Sequence, residues 1–270
     1  VEDLRSERWL SIAWRTCTDL KYQGGECFLK VGNGNDFREH VQIHRSSSSD
    51  MCTSIGSHNL VMGGCHVAHD CIVGSGNILA NNTLLAGHVG DYAVMGGAVA
   101  IKPFCHIGSY AFLAGGAMVE GDVPACVRAK GDRAELMGVN TEGLKRNGYD
   151  RQQIVETQRA CSTLLGTGVA TGGSSAATAL RELAQEMLDD GKWGAAPEAV
   201  VVAGSDSQQK SEPGRRHPAV LLLQTVTEGQ GRDRSPGPCR WRRADKVTQL
   251  ETKVAELEVK LDALMQSTTL

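Results

Sequence analysis

An aliphatic residue returns at every sixth position through most of residues 55–124, and this spacing limits the possible folds more than any other feature. A period of six fits neither an α-helix, with about 3.6 residues per turn, nor an ordinary strand, whose side chains alternate between two faces. It fits a triangular coil of parallel β-structure, in which each hexad is one side and its aliphatic residue points inward. The predicted inward residues are Ile55, Val61, Val67, Val73, Leu79, Leu85, Val89, Met95, Ile101, Ile107, Leu113 and Val119.

Three hexads close one coil, so residues three hexads apart are expected to stack and cover one another's apolar surface. The spacing from Leu85 to Val89 is four residues instead of six, which removes two positions from one side of a coil. We expect a tightened corner around Gly87 and Gly90, because the freedom of glycine in φ makes such a corner least costly there.

The rest of the chain does not follow the hexads. Its N-terminal segment is interpreted as irregular or as a cap for the open end of the β-helix. Helices are predicted over residues 150–165 and 175–189, then a linker or disordered segment rich in Gly, Pro, Ser, Gln and Arg. Heptads at the end predict a short coiled coil or a helix that folds back on its own domain. The predicted boundaries are 1–17 for the N-terminal segment, 18–130 for the β-helix, 131–190 for the helical region, 191–243 for the linker and 244–266 for the coiled coil.

Composition argues against several classes of protein. The net charge of −3 gives no overall field that favours nucleic acid. The longest later apolar run, Ala219–Leu223, is far too short to span a bilayer, and charged residues interrupt any signal-peptide pattern over residues 1–17. The nine cysteines are expected to be reduced and to act as small hydrophobes. We expect a soluble, cytoplasmic protein without membrane insertion.

Three histidines and an aspartate stand out within the repeat. A regular coil places His88 one coil above Asp70 on the same side, with His69 beside them and His66 just before the preceding corner. A carboxylate next to a histidine can fix its tautomer and make it a general base. Imidazoles are also common metal ligands, and spacing alone does not decide between base and ligand.

Longer stretches around these residues resemble the acyl-carrier-protein-dependent UDP-N-acetylglucosamine O-acyltransferases of lipid A synthesis. The resemblance covers roughly residues 18–165, and its last stretch is specific because the sister N-acyltransferase of the pathway lacks it at this place. The matching stretches are Thr18–Tyr22, Ile43–Arg45, His66–Cys71, Leu79–Asn82, Leu85–Val89 and Gly138–Arg146.

The resemblance implies an all-β left-handed parallel β-helix followed by a small α-helical C-terminal region. It also implies a homotrimer with active sites in the clefts between subunits. The implied reaction moves an (R)-3-hydroxyacyl group from acyl carrier protein to the 3-hydroxyl of the glucosamine of UDP-N-acetylglucosamine. No cofactor and no metal are implied, because the acyl donor is carried on the phosphopantetheine of the carrier protein.

The resemblance also implies roles for individual residues. His69 matches the general base, Asp70 the carboxylate that orients it, and the backbone N–H of Gly87 the oxyanion donor. Gly115 matches the position at which the family measures acyl-chain length. The other matched substrate contacts are Asp19, Lys21, His66, His88, Asn140, Glu142 and Arg146.

The chain departs from the family in several places. Lys102 and Pro103 replace a histidine and a glutamine, the first coils of the family's repeat are missing, and the C-terminal tail is atypical. We expect these departures to impair the activity. They also motivate a second hypothesis, in which the protein is a trimeric remnant or scaffold without turnover. A third hypothesis is a metal-dependent enzyme of the carbonic anhydrase type with His66, His69 and His88 as ligands.

Overall fold

Three parallel sheets form the sides of a prism in the computed structural model, which describes residues 5–6, 19, 22, 24–166, 184–185 and 216–228. Face A holds β1 (Arg5–Ser6), β3 (Asp36–Phe37), β6 (Leu60–Val61), β9 (Ile78–Leu79), β12 (Val94–Met95), β15 (Phe112–Leu113), β17 (Val127–Lys130) and β18 (Glu135–Val139). Face B holds β2 (Leu29–Val31), β5 (Thr53–Ile55), β8 (Ile72–Val73), β11 (His88–Val89) and β14 (His106–Ile107). Face C holds β4 (Gln42–Ile43), β7 (His66–Val67), β10 (Leu84–Leu85), β13 (Ala100–Ile101) and β16 (Met118–Val119).

The hexad prediction is confirmed. All twelve predicted inward residues are buried, with at most 4% of each residue exposed. The chain passes from face B to face A to face C on every coil, and the strands of each face pair in parallel with those of the next coil. Each coil therefore presents its aliphatic residues to the coil above and below, which is how a fold with few aromatic residues builds a continuous core.

The tightened corner lies at Gly87, between β10 and β11. A Cβ atom at Gly87 would overlap the carbonyl oxygen of Cys105 on the next coil, so only glycine fits the close approach. The missing two positions shift the register on face B, where Val89 pairs with Val73. The expectation that His88 stacks above Asp70 is therefore wrong. The His88 ring lies beside Ile72, whose N–H donates to His88 Nδ1.

A ladder of asparagines runs inside one corner of the prism. Asn35, Asn59 and Asn77 are buried, and the Oδ1 atom of each accepts a backbone N–H from a neighbouring coil. The Asn59 amide also donates to Asn35 Oδ1 at 2.9 Å and to the carbonyl oxygen of Gly74 at 3.0 Å. These contacts satisfy backbone groups that a buried corner cannot expose to water, whereas Nδ2 of Asn77 has no hydrogen-bond partner among the described residues.

After the last coil, the described part of the chain contains a hairpin and the helices α1 (Thr141–Arg146), α2 (Arg151–Gly166) and α3 (Pro218–Glu228). In the hairpin, strand β18 pairs antiparallel with β17. The helix predicted over residues 150–165 is confirmed by α2. The region from residue 131 is not helical throughout, because Leu136 and Val139 of β18 are buried as part of the extended face A.

Helix α3 lies inside the segment interpreted as a linker, so that interpretation is wrong for residues 218–228. Proline at its first position suits a helix start, and the apolar run that follows buries Leu222 and Leu223. Thr225 Oγ1 accepts the backbone N–H of Ala125 at 2.9 Å, which ties the helix to the end of the repeat. The helix predicted over 175–189 lies largely, and the coiled coil over 244–266 entirely, outside the described residues.

Within the described part of the chain, no helix has the length and apolar character to cross a membrane. The cytoplasmic location stays a prediction. All seven described cysteines are free thiols, and six of them are buried. Burial as small hydrophobic residues is confirmed for these six, while the reduced state stays a prediction.

Replacing Asn59 with alanine tests the importance of the asparagine ladder. The substitution leaves the Asn77 N–H and the Gly74 carbonyl without a partner in a dry corner, so we expect a loss of about 3 kcal/mol in the free energy of unfolding. Urea denaturation measures this loss. The control is Asn33→Ala, which alters an exposed asparagine and should change the value by less than about 0.5 kcal/mol. Equal losses in both variants would contradict the role of the ladder.

Candidate active site

The corners between faces C and B stack into one edge of the prism, which we call the C–B edge. It carries most of the predicted chemistry, because the connections from face C strands to the next face B strands hold the predicted base, its carboxylate and the predicted oxyanion donor. From coil to coil the edge presents His44–Arg45, His69–Asp70, Gly87 and Lys102–Phe104. The structure thus brings the predicted base, its carboxylate and the predicted oxyanion donor together on neighbouring coils.

His69 and Asp70 form a hydrogen-bonded pair at this edge. Asp70 Oδ2 lies 2.8 Å from His69 Nδ1, and 31% of the His69 side chain is exposed. A carboxylate only accepts hydrogen bonds, so Nδ1 carries the proton and Nε2 has a free lone pair. Asp70 has a φ of 62°, in the left-handed region that aspartate tolerates better than most residues. The pair therefore has the arrangement of a general base with its orienting acid.

Two further residues hold Asp70, and neither was singled out by the sequence. Its Oδ1 atom accepts the backbone N–H of Ser47 at 2.8 Å, and its own N–H donates to Thr53 Oγ1 at 2.8 Å. Burial alone would raise the pKa of Asp70, but the hydrogen bonds from Ser47 and His69 outweigh it and lower the pKa below its ordinary value. The carboxylate is thus kept ionised beside the base.

His44 and His66 form a tilted ring pair near His69, with an angle of 50° between the ring planes. Their ring centroids are 4.9 Å apart, and only 7% of His44 is exposed. Burial, and then the nearby His69, lowers the pKa of His66, while burial, His66 and His69 lower that of His44. Neither ring nitrogen of His44 has a hydrogen-bond partner among the described residues. Both imidazoles are therefore held neutral next to the base. The sequence pointed to His44 only through the Ile43–Arg45 motif.

The backbone N–H of Gly87 is available for a ligand. The flanking residues Ala86 and His88 donate their N–H groups to the carbonyl oxygens of Ile101 and Cys105, whereas Gly87 donates to none of the described residues. Pairing of β7 with β10 places Gly87 one coil above His69. A free N–H on a rigid corner can stabilise an oxyanion that forms next to the base.

A groove with a volume of 240 Å³ runs along the outer surface of face C beside the C–B edge. Its walls are mostly apolar, with His66 at one end and charged groups at the other. The lining residues include His66, Leu84, Ala86, Ala100, Lys102 and Met118. Lys102 therefore faces the same space as His66.

The remaining predicted site residues lie elsewhere. Gly115 lies at the edge between faces A and C, on the far side of face C from His69. Asn140 is buried, and its side-chain amide is engaged with the Tyr110 carbonyl and the Gly143 N–H at the start of α1. Glu142 and Arg146 are exposed on α1, which follows the last strands of face A. One chain therefore does not gather all the predicted contacts at one place.

Two predicted contacts near the start of the repeat can be placed only in part. Asp19 is described and is half-buried, and its carbonyl oxygen accepts the Tyr22 N–H at 3.0 Å. Lys21 lies outside the described residues.

The described residues hold no group of three or more His, Cys, Asp or Glu side chains that could bind a metal ion. Nδ1 of His69 is bonded to Asp70, and Nδ1 of His88 accepts the N–H of Ile72. The hypothesis with His66, His69 and His88 as metal ligands therefore has no ligand set in the described part of one chain.

Comparison with known proteins adds independent findings. Residues 122–193 match the family described as Udp N-acetylglucosamine O-acyltransferase, domain 2, and residues 52–87 match the bacterial transferase hexapeptide repeat. The chain is 41% identical over 157 residues to an acyl-[acyl-carrier-protein]–UDP-N-acetylglucosamine O-acyltransferase of Pseudomonas syringae, covering 57% of this chain and 61% of that protein. It spans somewhat more than three fifths of the length of the curated relatives that it matches.

Solved structures give the same assignment. The UDP-N-acetylglucosamine acyltransferase of Arabidopsis is 37% identical with a TM-score of 0.66, over 83% of this chain and 70% of that one. The Francisella novicida UDP-N-acetylglucosamine acyltransferase is 29% identical with a TM-score of 0.57, over 66% of this chain and 64% of that one. The fold is thus the left-handed parallel β-helix implied by the resemblance. The chain belongs to the UDP-N-acetylglucosamine O-acyltransferase family.

Proposed function

We propose that the protein transfers an (R)-3-hydroxyacyl group from acyl carrier protein to the 3-hydroxyl of UDP-N-acetylglucosamine, the first step of lipid A synthesis. The observation that carries this proposal is the His69–Asp70 pair with the unused N–H of Gly87 one coil above it. The pair supplies a base for the sugar hydroxyl, and the N–H supplies a donor for the charge that develops on the thioester oxygen.

The proposed reaction needs no covalent enzyme intermediate. His69 Nε2 takes the proton of the sugar 3-hydroxyl as its oxygen attacks the thioester carbon, and Asp70 stabilises the imidazolium that forms. The Gly87 N–H binds the tetrahedral oxyanion. When the oxyanion collapses, the carbon–sulfur bond breaks, and the departing phosphopantetheine thiolate receives the proton from His69. The ester and the free thiol of the carrier protein are the products, and no cofactor is required.

The cysteines near the base support direct transfer. Burial raises the pKa of Cys71 to about 12 and also raises the pKa of Cys65. Thiolates are the nucleophilic form of cysteine, and both thiols remain protonated at neutral pH. A thioester on the enzyme therefore has no suitable acceptor at either position, and attack by the substrate hydroxyl is favoured.

The groove and its rim supply candidate substrate contacts. His66 offers an imidazole at one end of the groove, and Lys102 offers a cation to a diphosphate or to an acidic carrier protein. The resemblance adds a contact from His88. The apolar wall formed by Leu84, Ala100 and Met118 matches the character of an acyl chain.

We also propose that three copies of the chain assemble into a homotrimer. Outward side chains form apolar stripes on two faces, where a soluble β-helix in isolation would carry polar residues. The stripe on face A is Leu60, Ile78, Val94 and Phe112, and that on face C is Leu84, Ala100 and Met118.

The separation of the predicted contacts supports the same proposal. Glu142 and Arg146 lie beyond face A, while His69 lies at the C–B edge. Contact between face A of one copy and face C of the next would bring α1 of one subunit towards the base of its neighbour. A complete sugar-nucleotide site would then lie between two subunits.

An acyl-transfer assay with purified protein, 3-hydroxyacyl carrier protein and UDP-N-acetylglucosamine tests the proposed activity. We expect His69→Ala to lower kcat/KM by at least about 100-fold, because it removes the base. Asp70→Asn should lower it by about tenfold or more, because the carboxylate no longer fixes the tautomer of His69. Product is measured by mass spectrometry of the acylated sugar nucleotide.

The control for this assay is His40→Asn. His40 is an exposed corner histidine with a φ of 60°, which asparagine tolerates, and it lies on a different edge of the prism. The activity of His40→Asn should equal that of the unaltered chain. If the unaltered chain makes no more product than His69→Ala, the transferase proposal fails and the non-catalytic trimer becomes the better account. That alternative is motivated by Lys102 and Pro103 at the rim of the site.

The proposed assembly is tested by placing a charge in each apolar stripe. We expect Leu84→Asp and Ile78→Asp to reduce the molar mass measured by light scattering to about one third, because an unpaired carboxylate would be buried between subunits. Ile72→Asp is the matched control, since Ile72 is exposed on face B and should leave the trimer intact. A monomeric unaltered chain, or three variants of equal mass, would contradict the arrangement.

A further inference from the structure

The connection from β4 to β5 at the C–B edge contains residues 46–53, which we call the 46–53 loop. Both of its ends are tied to one residue of the preceding coil. The N–H groups of Ser46 and Thr53 donate to the carbonyl oxygen of Phe28, at 3.0 and 3.2 Å. The Phe28 N–H in turn donates to Ser46 Oγ at 2.8 Å. Ser46 and Thr53 are buried, so these bonds are shielded from water and hold the loop closed at its base.

The hydroxyl of Ser46 also closes a turn inside the loop. Its Oγ donates to the carbonyl oxygen of Ser48 at 3.0 Å while it accepts the Phe28 N–H. The single proton of the hydroxyl is therefore in use. Because Ser47 lies between the two residues that this bond joins, the turn fixes the direction of the Ser47 N–H.

Asp70 is held from both ends of the 46–53 loop. Near the first end, Ser47 donates its N–H to Asp70 Oδ1, and at the other end Thr53 Oγ1 accepts the Asp70 N–H, both at 2.8 Å. The first contact fixes the carboxylate, and the second fixes a backbone with a φ of 62°. A left-handed residue other than glycine persists where its surroundings determine it. The second carboxylate oxygen, Oδ2, is then directed at His69 Nδ1.

We propose that Ser46 and Thr53 are positioning residues of the candidate active site, which hold Asp70 in the orientation that pairs it with His69. The inference rests on the proposed function, in which His69 is the base. Ser46 and Thr53 act through Asp70 and not on the substrate. They fix the carboxylate before the substrate binds, so the base needs no reorientation during the reaction.

The contacts with the loop also bear on the charge of Asp70. Burial raises the pKa of Asp70, but the side chain and the N–H of Ser47, together with His69, lower it below its ordinary value. Loss of the loop contacts should therefore raise this pKa. Asp70 also interacts with the thiol of Cys71, whose pKa burial raises to about 12, so the thiol does not titrate in the same range as the carboxyl.

Thr53→Val tests one end of the loop in the full chain. Valine has the shape of threonine but offers no oxygen to the Asp70 N–H, so the carboxylate should lose its fixed orientation. Carbon-13 NMR titration of the Asp70 carboxyl, assigned with Asp70→Asn, should show a higher pKa in Thr53→Val than in the unaltered chain. In the acyl-transfer assay kcat should fall about fivefold, as for the loss of one hydrogen bond, with KM for UDP-N-acetylglucosamine changed less than about twofold.

Three further variants separate positioning from packing. Thr53→Ser keeps the oxygen and should keep the Asp70 pKa and the kcat of the unaltered chain. Ser46→Ala removes the hydroxyl at the other end and should shift both readouts in the direction of Thr53→Val. Ser49→Ala is the matched control, because Ser49 is an exposed serine of the same loop, and it should change neither.

A double variant shows whether Thr53 acts through the carboxylate. When Asp70→Asn is already present, adding Thr53→Val should lower kcat by less than about twofold, because the group that it positions is gone. An independent effect on stability or packing would instead lower kcat by the same factor in both backgrounds.

The inference is overturned if Thr53→Val and Ser46→Ala lower the melting temperature while the Asp70 pKa and kcat stay as in the unaltered chain. Equal losses of kcat from Thr53→Val with and without the Asp70 carboxylate would also overturn it. Either result would assign the 46–53 loop to stability alone. The NMR titration does not depend on turnover. If the unaltered chain shows no transfer, the proposed function fails, while the titration still decides whether the loop holds Asp70.

Discussion

The backbone hydrogen bonds between successive coils decide where the side chains of the prism point. Because the strands of each face are only two to five residues long, no single coil could hold its shape. Each coil takes its register from the coil before it, and the inward aliphatic residues seal the contact against water. Once the register is set, the corners fall into three edges. One of these edges, between faces C and B, carries the histidines, the aspartate and the glycine on which the proposed chemistry depends.

The repeat could be predicted from the sequence because its signal is local and recurs. The inward position of each hexad, the corner at Gly87 and the helix α2 depend on residues close together in the chain. The stacking partner of His88 was predicted wrongly because the regular offset of three hexads does not hold across the shortened corner. The inward position of Val89 places it over Val73, and His88 therefore lies over Ile72. Helix α3 was missed for a related reason, because the composition around it hides a short apolar run.

The candidate site also combines a contact that the sequence predicts with contacts that it does not. The pairing of His69 with Asp70 is between neighbours in sequence, and a left-handed φ at Asp70 is enough to bring the two side chains together. One group that holds Asp70, the N–H of Ser47, comes from a serine-rich loop that interrupts the repeat, and the other, Oγ1 of Thr53, comes from the start of β5. Nothing in the composition of this loop shows that the N–H of Ser47 returns to the carboxylate. Contacts of this kind depend on the path of the backbone and leave no pattern in the residues that make them.

The attachment of α3 to the end of the repeat has a consequence for how the chain folds during synthesis. Coils of the prism can close one after another as they leave the ribosome, since each needs only its predecessor. The hydrogen bond from Ala125 to Thr225 joins residues 100 positions apart, so the terminal coil must wait for a much later part of the chain. During that interval the last rung exposes unpaired backbone and apolar side chains. This rung is then the natural point of attack for a chaperone or for wrong pairing with another nascent copy.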